Sequence, residues 1–153
     1  MDLFSAIKSA QIEEAREIIN LTPAIVDVPD DRGFTPLILT CYNNQIELSK
    51  LLLSKNCEVD KTDAAGNTAL LGTCFKGYLD IVILLVDKGA DINFKGHNGS
   101  TPLMYASMFG HIKVVEYLLS KGATSDLRDS NGHTAAVHAR TKGFEEIAIL
   151  LNQ

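Results

Sequence analysis

The chain of 153 residues is 46% hydrophobic and 22% charged, the make-up of an ordinary one-domain globular protein rather than a disordered or fibrous one. Fourteen Lys and Arg against nineteen Asp and Glu leave a formal net charge of −5, a field that repels nucleic-acid phosphates, and no stretch approaches the roughly 18 uncharged apolar residues of a membrane helix. The start, MDLFSAIKSAQIEEAREII, lacks the basic lead and unbroken apolar core of a secretory signal, so a cytoplasmic location is expected.

Residues 1–27 read as a short pair of helices. Gln11-Ile12-Glu13 echoes Gln45-Ile46-Glu47, and Ile18-Ile19 echoes Leu52-Leu53, which makes this segment a degenerate copy of the unit after it. It mixes Lys8, Glu13, Glu14, Arg16 and Glu17 with Phe4, Ile7, Ile12, Ile18 and Ile19, the composition an end unit needs if one face is to stay in water.

A period of 33 residues then takes over. GFTPL at 33–37, GNTAL at 66–70, GSTPL at 99–103 and GHTAA at 132–136 mark units 28–60, 61–93, 94–126 and 127–153. Thr35, Thr68, Thr101 and Thr134 stand where a helix N-cap belongs, and Pro36 and Pro102 occupy the first helical position, where no donor is lost. Asn44, Gly77, Gly110 and Gly143 tolerate the left-handed conformation that closes such a helix. A second helix is predicted at about 45–54, 78–87, 111–120 and 144–151, followed by an extended finger such as DKGADIN. In the last unit Ala135-Ala136 replaces Pro-Leu, so this unit is expected to be the softest. The chain ends just after Leu150-Leu151, and it is read as complete, with a cap at each end and a monomeric state.

Four units at one spacing, each opening on T-P-L or a variant of it, resemble the ankyrin repeat. The resemblance implies an all-α solenoid of helical hairpins with β-turn fingers and a concave binding face. The His that usually follows T-P-L is replaced by Ile38, Leu71, Met104 and Val137, so packing has to hold these turns.

Chemistry has little support. Cys41, Cys57 and Cys74 form no C-x-x-C pair, and equivalent positions in stacked units stand roughly 10 Å apart, beyond disulfide reach, so they read as small buried residues. His97, His111, His133 and His138 show no spacing that puts two ligands on one helical face with a third nearby, so no metal site is expected. No phosphate-binding loop and no Ser-His-Asp or Cys-His set emerges, and neither a cofactor nor an enzymatic activity is expected.

The resemblance places contacts on the finger tips and the exposed ends of the first helices. The tips supply Asp31, Arg32 and Phe34, then Asn67, then His97 and Asn98, then His133; the helix ends supply Tyr42 and Asn43, Phe75 and Lys76, Met108 and Phe109, and Lys142. Tyr42, Phe75 and Met108 form a column that is either a binding hot spot or a set of side chains folded over the next helix pair. Charge is graded from Asp27, Asp30 and Asp31 to Lys95, His97, Arg128, His133 and Lys142. The function implied is non-catalytic binding of another protein, as an adaptor or an inhibitor. The alternatives are nucleic-acid binding through the basic C-terminal fingers and an enzyme with an unrecognised site.

Overall fold

In a computed structural model, which describes residues 1–152, each of the four periodic threonines starts a helix; Gln153, the last residue of the predicted final unit, lies outside the described residues. The Oγ1 atoms of Thr35, Thr68, Thr101 and Thr134 accept from the N–H groups of Ile38, Leu71, Met104 and Val137 at 3.1–3.3 Å. The helices they open are α3 (Pro36–Tyr42), α5 (Ala69–Lys76), α7 (Pro102–Met108) and α9 (Ala135–Thr141). Before them lie α1 (Leu3–Lys8), α2 (Ile12–Leu21) and a 3-10 turn (Pro23–Asp27); the return helices are α4 (Ile46–Ser54), α6 (Leu79–Asp87), α8 (Ile112–Ser120) and α10 (Glu145–Leu151). Asn44, Gly77, Gly110 and Gly143 adopt φ of 57°, 80°, 77° and 86° between the two helices, the conformation expected of these residue types.

The five hairpins stack. The odd-numbered helices form one layer and α2, α4, α6 and α8 the other, while α10 holds mainly to α9. Columns of equivalent side chains fill the space between: Leu37, Leu70, Leu103 and Ala136; Leu48, Ile81, Val114 and Ile147; Leu52, Leu85, Leu118 and Leu151, all buried. Each fully buried aliphatic side chain adds about 1.5–3 kcal/mol relative to exposure, so the array holds together through neighbour contacts alone. Where the usual His is absent, Ile38, Leu71 and Met104 are buried and Val137 half-buried, which is the packing substitute expected. The outer face of the last hairpin is less polar than the sequence suggests, because Ile149 is 56% exposed.

Side chains also tie successive units together. Asp27, Asp60 and Asn93 accept from the backbone N–H groups of Glu58, Asp91 and Thr124 at 2.9, 3.1 and 2.9 Å. The His111 ring lies over Gly77, where any Cβ would collide with it, and its Nε2 is 2.9 Å from the Phe75 carbonyl oxygen. His111 is thus a structural staple between units. No helix of the described residues is long and apolar enough to cross a membrane.

Candidate protein-binding face

One position of the first helix is occupied by Leu39, Gly72 and Tyr105 in successive units. Without a side chain at Gly72 a hollow opens between its neighbours. The result is a groove of about 580 Å³ whose apolar walls are Phe34, Ile38, Leu39, Tyr42, Phe75 and Tyr105, with Arg32, Asp63 and Asn67 at the rim. A Cβ on Gly72 would make only an ordinary 3.5 Å contact with Tyr42 Cδ2, so the hollow could accept a side chain from elsewhere.

The rings along this groove touch. Tyr42 and Phe75 stack at 6.4 Å and 12°, Phe109 meets Phe75 edge-on at 4.5 Å and 69°, and Tyr105 meets it at 6.5 Å and 80°. The Arg32 guanidinium lies 5.2 Å over Phe34 and the Lys76 ammonium 4.6 Å over Tyr42. These cation–π contacts hold the long basic chains across apolar surface.

The ring ladder thus runs Tyr42, Phe75, Phe109, with Phe109 next in the chain to Met108, the third member of the expected column. The reason is local: α7 ends at Met108, and Phe109, the residue at its C-cap, brings its ring against Phe75. Met108 is half-buried, and Phe109 is 40% exposed. Of the other expected contact residues, Arg32, Phe34, Tyr42, Asn67 and Phe75 converge on the groove, with Lys76 at its edge. Asp31, Asn43 and Lys142 are exposed and stand outside its walls. Gly72 and Tyr105 escaped notice in the sequence, although a glycine breaking a row of large residues inside a helix was a usable signal.

The finger residues are partly occupied by the fold itself. Asp30 Oδ1 accepts from the N–H groups of Arg32 and Phe34, and its other oxygen is 3.3 Å from Lys8 Nζ. Burial alone would raise the Asp30 pKa, but these hydrogen bonds and Lys8 hold it below the usual value. Lys95 Nζ donates to the Arg128 carbonyl and Arg128 Nη1 to the Gly132 carbonyl, so these two side chains help hold the fingers together while keeping their charge. His97 is exposed but its ring covers Gly66, and Asn98 links fingers, its carbonyl accepting from Ser130 N–H at 3.0 Å.

The three cysteines are free and buried. Burial pushes the thiols of Cys41 and Cys57 up to about 12, with Asp27 adding to the effect at Cys57, and burial pushes Cys74 up as well. Thiolates are the reactive form, so the native protein should label with a thiol reagent at neutral pH far more slowly than the urea-unfolded chain. A cysteine that labels equally fast in both states would contradict this burial.

At the far end the structure collects groups that linear spacing did not. Asp129, His133 and His138 place one ligand atom each within 4.8 Å of one another, and His138 Nε2 is 2.7 Å from Asp129 Oδ2. They come from the opening of a finger, its tip and the following helix, so a search for ligands on one helical face passes over them.

A family model described as ankyrin repeats, three copies, matches residues 3–96 and again 91–153. The Ankyrin repeat domain-containing protein 49 of Drosophila melanogaster is 42% identical over 48 residues, 31% of this chain and 22% of that protein. The Ankyrin repeat and SAM domain-containing protein 6 of Danio rerio is 34% identical over 60 residues, 39% of this chain and 8% of that protein. The matched stretches therefore span less than a quarter of either relative. With the period, the capped hairpins and the stacked layers in agreement with the family match over nearly the whole length, the chain belongs to the ankyrin repeat family.

Proposed function

We propose that this chain is a non-catalytic module that binds another protein by taking an apolar segment of it into the groove over Gly72. The observation that carries this reading is the groove itself, whose volume of about 580 Å³ lies within the range of roughly 300–1,000 Å³ typical of clefts that bury a ligand. Its walls include the rings of Phe34, Tyr42, Phe75 and Tyr105, and aromatic rings supply large rigid contact area at little cost in conformational entropy and are enriched among interface hot spots. The family supports a protein partner in general, and an adaptor and an inhibitor would both use this face. A nucleic-acid reading is disfavoured by the net charge of −5, whose field repels phosphates.

The test is capture with the intact chain beside a Gly72→Leu variant that fills the groove. Gly72 lies within α5, so the larger side chain also gains helix propensity, about 0.5–1 kcal/mol, and the variant is expected to stay folded. A partner retained by the native chain and lost from the variant, with unfolding temperatures equal or higher, is the expected result. A partner held equally by both would remove the groove from the interface.

A further inference from the structure

We propose that the fourth finger is a binding site for one divalent first-row transition ion, held by Asp129, His133 and His138. Two imidazoles and a carboxylate are the borderline donor set that suits Zn²⁺ and its neighbours rather than Mg²⁺ or Ca²⁺. At metal–ligand distances of about 2.0–2.2 Å, the donor atoms of a tetrahedral site stand roughly 3.3–3.5 Å apart, inside the 4.8 Å spread of these three groups. The 2.7 Å contact between Asp129 Oδ2 and His138 Nε2 holds one proton, and the ion would take its place as the contact opens slightly, with the proton passing to His138 Nδ1 or to solvent.

The carboxylate is already oriented. Asp129 Oδ1 accepts from the N–H groups of Asn131 and His133 at 2.9 Å each, and Asp129 N–H donates to the His133 carbonyl at 3.0 Å, so the turn that carries two of the ligands is closed on itself. That leaves Oδ2 turned toward His138. Supporting contacts of this kind, which fix a ligand's direction before the ion arrives, strengthen metal sites.

The other units show what is particular to this one. The finger aspartate recurs as Asp30 and Asp63, each capping its own turn in the same way, and is a fold residue. The positions of His133 and His138 hold Phe34 and Leu39 in the first full unit, Asn67 and Gly72 in the second, and Ser100 and Tyr105 in the third. Only the last unit places two imidazoles there. The rings meet at 5.5 Å in a T-shaped pair, with His133 exposed and His138 half-buried, so the site is open to solvent for the remaining coordination position.

Calorimetric titration of the full, tag-free chain with zinc chloride tests the proposal. One saturable site per chain is expected, weakened at least tenfold by His133→Gln and by His138→Asn and lost in the double variant. His133 is exposed, so His133→Gln reports on binding without disturbing the fold. Asp129→Asn keeps the oxygen that caps the turn while removing the charged ligand, and it too should weaken zinc at least tenfold. Cobalt in place of zinc should show the visible bands of a nitrogen and oxygen site, and the amide resonances of residues 129–138 should shift. Absence of a saturable heat, unchanged affinity in the double variant, or cobalt–thiolate bands from the cysteines would overturn it.

Discussion

Truncating Leu85 to alanine is expected to lower the stability of the array by about 3 kcal/mol, and the unfolding temperature by roughly 6–12 °C. Leu85 is fully buried on α6 in the column between Leu52 and Leu118, so the cavity opens at two unit interfaces at once. Each unit leans only on its neighbours, and a weak middle unit uncouples the two ends. At the end of the chain the same size of change should act locally. Ala136 stands where Leu37, Leu70 and Leu103 stand, and α10 holds mainly to α9, so the last unit is expected to open first. Urea unfolding of Leu85→Ala gives the global cost, and amide exchange on the native chain gives the local one. Protection of residues 134–151 equal to that of 68–86 would contradict the local part, and a loss below about 1 kcal/mol the global part.

Truncating Phe75 to alanine should weaken partner binding about thirtyfold, roughly 2 kcal/mol, because this ring is the centre of the ladder and forms a wall of the groove. The ring is half-buried between Tyr42 and Phe109. Stability should therefore fall too, by about 1.5 kcal/mol, short of the 3–5 kcal/mol lost at a fully buried Phe. The two readings of the column in the sequence, hot spot or packed side chain, merge in this geometry. Thermal unfolding and affinity measured on the same variant separate the contributions. Full affinity per folded molecule would mean that the ring only supports its neighbours and that contact lies at the finger tips around Arg32 and Asn67.

The hairpins, their number and their ends were legible in the order of the amino acids alone. Thr68 can cap only the turn that follows it, and Gly77 closes the same helix, so their spacing specifies backbone structure without reference to any distant residue. The period of 33 then brought equivalent leucines into columns, and the fold class came with it. The burial of the cysteines was legible in part for the same reason, since Cys57 aligns with Ala90 and Ala123, while Cys41 and Cys74 share a position that holds Ser107 and then Arg140 in later units.

Contacts across units arose only on stacking. Periodicity put Tyr42, Phe75 and Met108 in a row, and only side-chain direction at the end of α7 brought the Phe109 ring to Phe75 as well. The reach of the Lys95 side chain to the Arg128 carbonyl one unit away likewise follows from stacking. The hollow over Gly72 exists only because larger residues of adjacent units flank it, and Asp129, His133 and His138 meet only because a turn folds back on the helix after it. Caps and periods act through the backbone over three or four residues, where spacing predicts geometry. A groove or a ligand set depends on where side chains point once the units are stacked, and linear spacing does not carry that information.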